Sequence, residues 1–263
     1  MCFPRCFPLT LALTLGWTAG HAGAQAAPAE DANFEARTHT DSDGATLLYR
    51  LLKPDVSAAA EKKHPLLLFL HGAGERGADN KAQLTWGREM MKTAAEKYGA
   101  FVIVPQCPTG KKWAEVDWSK STHEMPEKVS ESMGLALEVI AKLQKEYPID
   151  PDRLYVMGLS MGGYGTWDII QRRPDLFAAA VPICGGGDEK AADRIQIPVW
   201  AFHGDRDGAV PVSRSRNMIA AIKAAGGKPK YTEYPGVGHN CWSTAFADPE
   251  MLKWLFSHKR DGK

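Results

Sequence analysis

Residues 154–172 read LYVMGLSMGGYGTWDIIQR, and the middle of this stretch determines how the whole chain is read. Leu154 to Gly158 is a short apolar run of the kind that forms a strand buried on both faces, whereas Met161 to Arg172 carries helical spacing and stops ahead of Pro174. Between them, Gly158-Leu159-Ser160-Met161-Gly162 leaves no residues for a loop, so strand must turn directly into helix. A reversal that tight needs positions without a side chain on either side of its apex. Ser160 is then pushed out above the sheet with its hydroxyl exposed at a helix N-terminus. A glycine-flanked serine elsewhere would be an ordinary turn. The strand-to-helix setting gives this one chemical interest.

Outward from that turn, short apolar runs alternate with helix-period segments. Leu66 to Leu70, Phe101 to Pro105, Phe177 to Ile183, Val199 to Phe202 and Tyr231 to Tyr234 are the other predicted parallel strands. Helices are predicted for Glu127 to Lys145, with Val129, Met133, Leu137, Ile140 and Ala141 on the buried face, for Ser213 to Ala225 and for Pro249 to His258. Near the start, Arg37 to Thr40 and Ala45 to Leu52 flank Asp41-Ser42-Asp43-Gly44, which predicts an antiparallel hairpin lying at a sheet edge. The fold class expected is α/β: a doubly wound, mostly parallel sheet flanked by helices, in which ligands bind beyond the carboxyl ends of the strands.

The 263 residues carry 32 Lys and Arg against 31 acidic residues, a formal charge of +1, so no global field draws the chain to nucleic acid or an anionic membrane. A small substrate of little charge fits better. The first two dozen residues differ from the rest: Arg5, an apolar run from Phe7 to Trp17, then Ala22-Gly23-Ala24 as a small-residue cleavage site, with Ala24-Gln25-Ala26 a second one. They read as a secretory signal over residues 1–24, followed by a flexible lead-in over 25–33 and one domain over 34–263. The apolar run is too short to span a bilayer. Cys2 and Cys6 leave with the signal; Cys107, Cys184 and Cys241 remain. Their spacing matches no metal site, no cofactor is called for, and the expectation is three free thiols, although one disulfide in any of three pairings stays open.

A serine hydroxyl is a weak nucleophile, so it needs a base within hydrogen-bond reach and a group that orients the base. Two later segments fall at the same edge of the expected sheet. His203-Gly204-Asp205-Arg206-Asp207-Gly208-Ala209-Val210-Pro211 supplies two carboxylates, and Gly236-Val237-Gly238-His239-Asn240-Cys241-Trp242 supplies one imidazole. His239, among glycines with no obvious packing role, is the candidate base. His71 and His203 read as structural residues that fix loops. Met161, directly after the serine, can offer its N–H to an oxyanion. Glu75 and Arg76 either fix their own loop through an ion pair or contact a substrate carboxylate. Trp113 and Trp118 are candidate walls of a substrate pocket, whereas Trp86, Tyr164, Trp167 and Trp242 are expected to pack.

The order serine, acid, histidine, together with the strand Leu66-Leu67-Leu68-Phe69-Leu70 running into His71-Gly72-Ala73-Gly74-Glu75-Arg76-Gly77, resembles the α/β-hydrolase superfamily from about Leu47 to the C-terminal helix. Within it the chain is similar to serine esterases grouped with dienelactone hydrolases, phospholipase/carboxylesterases and secreted peptidases. The resemblance implies Asp207 rather than Asp205 as the acid, because Asp207, Val210 and Pro211 fall on the family's His-Gly-x-x-Asp-x-x-Val-Pro frame. It also implies Ala73 as the second oxyanion donor. Dienelactone hydrolases proper carry cysteine where this chain has Ser160. The interval from Ile183 to Val199, where caps enter in such proteins, is too short for one, implying an open cleft. The expected function is ester hydrolysis on a small or polymer-linked ester, secreted or periplasmic, with a peptidase or amidase of the same fold as the alternative and a non-catalytic binding protein as a remote one.

Overall fold

The computed structural model describes residues 33–55 and 62–260, together with Met1. The expected signal over residues 1–24 and nearly all of the lead-in after it lie outside the described residues. Eight strands form one sheet: β1 (Phe34–Thr40), β2 (Thr46–Leu52), β3 (His64–Leu70), β4 (Phe101–Gln106), β5 (Ile149–Leu159), β6 (Ala179–Ile183), β7 (Trp200–Gly204) and β8 (Lys230–Tyr234). Their order is β1-β2-β4-β3-β5-β6-β7-β8. From β4 to β8 all neighbours are parallel, while β2 runs antiparallel to β4 and β1 antiparallel to β2. Among the described residues six α-helices accompany them: α1 (Arg88–Tyr98), α2 (Glu131–Glu146), α3 (Met161–Arg172), α4 (Ser213–Ala224), α5 (Trp242–Ala247) and α6 (Pro249–Ser257).

The seven residues of β3 are all buried, because helices cover both faces of the sheet. Leu66, Leu68 and Leu70 point into one core with Met133 of α2, Trp167 of α3 and Met218 of α4. Leu67 and Phe69 point into the other with Met91 of α1, Trp242 of α5 and Met251 of α6. This alternation along one strand divides the helices into two layers.

The hairpin forms as expected around Asp41, whose Oδ1 accepts from the N–H groups of Asp43 at 2.9 Å and Ala45 at 2.8 Å. Of its two strands, however, β1 alone lies at a sheet edge. β2 is internal, pairing with β4 through Leu48↔Gln106 to Leu52↔Val102. The buried stripe of α2 also differs from the expected one: it runs through Met133, Leu135, Ala136, Val139, Ile140 and Leu143, while Val129 precedes the helix and is exposed. Ser130 sets that start, since its hydroxyl caps the N–H of Met133. Helix α1 was not evident from sequence, because its contact with the core is a narrow strip of Met90, Met91, Ala94 and Ala95 amid charged residues.

Candidate active site

Strand β5 ends at Leu159 and helix α3 begins at Met161, leaving Ser160 alone at the apex with φ 53° and ψ −117°. A non-glycine residue there carries strain of about 1–3 kcal/mol, which the surroundings must hold. Those surroundings are close. A Cβ on Gly162 would lie 1.9 Å from the Leu70 carbonyl oxygen, and one on Gly158 would lie 2.4 Å from that of Gly162. The two glycines therefore let α3 press directly on the ends of β3 and β5. The Ser160 N–H donates to Ile183 O at 2.9 Å, which ties the apex to the next strand as well.

The loops after β7 and β8 meet through their backbones. Asp205 N–H donates to Tyr234 O and Arg206 N–H to Val237 O, and a Cβ on Gly204 would lie 2.3 Å from Val237 O. This junction carries His239 to Ser160. His239 Nε2 lies 2.9 Å from Ser160 Oγ, and His239 Nδ1 lies 2.7 Å from Asp207 Oδ2. The Asp207 side chain is fully buried, and that of His239 is 27% exposed. Burial alone would raise the Asp207 carboxyl, but hydrogen bonds from His203, His239 and the N–H groups of Val210 and Ala209 outweigh it and hold the group well below the usual carboxylate range. It is an anion, so Nδ1 of His239 carries the proton and Nε2 is left to accept from the serine. Asp205 takes a different place: its Oδ1 accepts from the Gly236 N–H at 2.7 Å, bracing the two loops.

His203 contributes more than loop fixing. Its Nε2 faces two acceptors, Asp207 Oδ2 at 3.2 Å and Val210 O at 3.0 Å, so that nitrogen bears the proton and Nδ1 accepts from Ser215 Oγ at 2.7 Å. The Asp207 carboxylate is thereby held from the side opposite His239. The only sequence signal for this was the four-residue spacing of His203 and Asp207.

After β3, the segment Ala73–Glu75 forms a short 3-10 turn beside the apex. A Cβ on Gly72 would stand 3.7 Å from Ser160 Cβ, which measures how closely this loop approaches the serine. Met161 opens α3, so its N–H is one of the donors a helix N-terminus leaves unpaired. The loop is held from behind by His71: Cys107 N–H donates to its Nε2 at 2.9 Å and its Nδ1 donates to Gly72 O at 2.6 Å. Burial pushes this imidazole down to about 4, so it stays neutral. Trp113 is a correction to the expected pocket wall. It is fully buried, with its indole N–H on His71 O at 3.1 Å and its ring edge-on to His71, so it supports the loop and faces no cleft. Arg76 donates from Nε to Ala73 O at 2.9 Å within the loop and from Nη1 to Lys111 O at 3.4 Å beyond it, rather than pairing with Glu75. Its guanidinium also lies 5.9 Å from the half-buried Trp118 ring.

Trp86 and Trp242, expected only to pack, flank the site. Trp242 lies edge-on to the His239 ring at 5.3 Å, and Trp86 lies 5.6 Å from Trp242. Cys107, Cys184 and Cys241 are buried free thiols. Cys184 Sγ lies within 4.8 Å of ligand atoms of Asp207 and His239. Asp207 and His239 are engaged with each other, and burial together with the neighbouring Cys241 pushes the Cys184 thiol up, so this trio is a poor metal site.

Residues 82–250 match the dienelactone hydrolase family. The structure superposes on that of a thermostable esterase with TM-score 0.80 and 40% identity, covering 87% of this chain and 64% of that one. The bifunctional acetylxylan esterase/xylanase XynS20E of Neocallimastix patriciarum is 30% identical over 139 residues, 53% of this chain and 18% of that protein. The poly(3-hydroxybutyrate) depolymerase of Ralstonia pickettii is 30% identical over 124 residues, 44% of this chain and 24% of that protein. The chain thus spans about a fifth to a quarter of the length of these curated relatives.

Proposed function

This chain belongs to the dienelactone hydrolase family, and from that premise we propose that it is a serine hydrolase that cleaves carboxylic esters through an acyl-enzyme on Ser160. The observation that carries the reading is the hydrogen-bonded row from Ser160 Oγ through His239 to Asp207, at 2.9 Å and 2.7 Å. Ser160 Oγ attacks the ester carbonyl carbon as His239 Nε2 takes its proton. The C=O electron pair moves onto oxygen, facing the N–H groups of Met161 and Ala73, where each donor is worth about 10²–10³ in rate. The intermediate collapses as the C–O bond breaks, and His239 returns the proton to the departing alkoxide. Water then repeats the sequence on the acyl group and regenerates the serine. Asp207 stays ionised throughout, holding the imidazole and stabilising its transient positive charge.

Serine at position 160 separates this site from the cysteine chemistry of dienelactone hydrolases proper. The names of the relatives, with acetylxylan and poly(3-hydroxybutyrate) as their esters, support small or polymer-linked esters as the substrate class. Trp118 and Arg76 are retained as candidate substrate contacts. We also propose that residues 1–24 are removed on export and that the mature protein works outside the cytoplasm. Among the described residues no helix is long and apolar enough to cross a membrane. Hydrolysis of 4-nitrophenyl acetate by the full chain, its loss in Ser160→Ala and stoichiometric labelling of Ser160 by a fluorophosphonate test the catalytic reading. Faster cleavage of peptide amides than of esters would replace it with the peptidase alternative. N-terminal sequencing of the exported protein tests the leader.

A further inference from the structure

We infer that Trp86 forms the stacking wall of a subsite for a flat aromatic ring, making this an esterase with a preference for ring-bearing esters. The inference rests on the proposed role of Ser160 and goes beyond it in naming the substrate class.

Trp86 is 38% exposed, and a single exposed apolar side chain is by itself unremarked on most protein surfaces. What distinguishes this one is how it is held. Its indole N–H donates to Glu75 Oε1 at 3.1 Å, and Glu75 closes the 3-10 turn that brings Ala73 beside the serine. The other carboxylate oxygen of Glu75 lies 3.0 Å from where a Gly72 Cβ would be, and that same point is 3.7 Å from Ser160 Cβ. On its other side Trp86 lies against Trp242, which is edge-on to His239. One line of contact from the indole therefore reaches His239 through Trp242, and the other reaches the Glu75 side chain, which lies with Gly72 next to Ser160.

The backbone beneath the ring is equally fixed. Gly87, at φ +74°, opens α1 and is wedged so tightly that a Cβ there would lie 3.3 Å from Met90, Phe246 and Phe69. An indole clamped by its N–H, its neighbour ring and its backbone loses little freedom on binding, and its solvent-facing surface remains available. With its N–H engaged by Glu75, the exposed indole presents its π-surface, and an aryl ring stacks on that surface without needing hydrogen bonds of its own; a sugar stacked there instead is the rival outcome of the assay below.

The test measures kcat/KM of the full chain on two pairs of esters: phenyl acetate with ethyl acetate, and methyl cinnamate with methyl butyrate. The first pair carries its ring in the alcohol, the second in the acyl group, so they locate the wall relative to the scissile bond. Trp86→Ala should lower the aryl-to-alkyl preference roughly tenfold in one pair, mainly through KM. Trp86→Phe should keep most of that preference. Comparing ratios between variants cancels the intrinsic reactivity of a phenol leaving group. The rate of fluorophosphonate labelling of each variant reports separately on the serine and histidine, and the aryl-to-alkyl ratio is compared after correction for it. Equal losses on all four esters, no loss at all, or, with glucose pentaacetate assayed in parallel, a loss found on it and on none of the four would each overturn the inference. Activity surviving in Ser160→Ala would instead overturn the catalytic reading, so the two failures are distinguishable.

Discussion

The closest backbone approach at the nucleophile is between α3 and β3, and Gly162→Ala tests it with a single methyl group. The added Cβ would lie 1.9 Å from Leu70 O, 2.5 Å from Leu70 C and 2.9 Å from His71 O, all backbone atoms with no rotamer to yield. Real Cβ atoms essentially never come within 3.0 Å of a heavy atom, so helix and strand must separate by about 1 Å. That movement would carry Met161 and Ser160 away from both Ala73 and His239, because α3 starts immediately after the serine. A displacement of this size costs about 10²-fold in rate when it falls on reacting groups, and overpacking costs about 1–3 kcal/mol of stability. Gly74→Ala is the control, since nothing lies within 4 Å of its added Cβ. The assay pairs kcat/KM on 4-nitrophenyl acetate with the rate of fluorophosphonate labelling and a denaturation curve. A folded Gly162→Ala protein within fivefold of the unaltered rate would refute the argument that this contact positions the nucleophile.

Asp207→Asn should lower kcat by about 10⁴, since an amide no longer selects the required imidazole tautomer. Asp205→Asn should stay within a few-fold on the same ester, because Asp205 bonds Gly236 rather than His239. His203→Phe should reduce kcat about tenfold with KM little changed and lower stability by about 1–3 kcal/mol, as Asp207 and Ser215 each lose a buried partner; unaltered kcat would remove His203 from the positioning of the acid. Acid should weaken the fold before Asp207 titrates. Burial pushes His71 from 6.5 to about 4, so between those values the unfolded chain binds the extra proton and stability falls as pH drops. The loss from His71 is about 3 kcal/mol at pH 4, fully regained above pH 6.5. His123, pushed down to about 4 by burial and the nearby Arg214, adds to it in the same window. Urea denaturation at pH 7 and pH 4.5 reads the change, and His71→Gln should remove about half of what the two histidines contribute, His123 supplying the rest.

Much of the fold was legible because buried parallel strands and amphipathic helices leave different periods in the chain. The runs ending at Leu70, Gly158, Ile183 and Tyr234 correspond to β3, β5, β6 and β8, and Met161–Arg172 to α3. Elements with weak periodicity were not legible. Helix α1 contacts the core through methionines and alanines, and α5 has only six residues. Nor could the hairpin's rank in the sheet be read, since pairing of β2 with β4 joins strands some fifty residues apart and has no local signal.

For the candidate site, residue types and local settings lay in the chain itself: a serine at a strand-to-helix turn between two glycines, then carboxylates and an imidazole in loops after later strands. These follow from short-range sterics and from the rule that such loops share one edge of a parallel sheet. Which side chains meet depends on the loops packing on one another. Asp207 faces His239 while Asp205, two residues earlier, faces Gly236, because the β7 and β8 loops join through backbone bonds that set the direction of each side chain. Trp113, expected at a pocket wall, lies buried under the loop, and Trp86, expected only to pack, is partly exposed, for the same reason. Aromatic character is local, but whether a ring ends up under a loop or in the open is decided by the packing of residues distant in the chain.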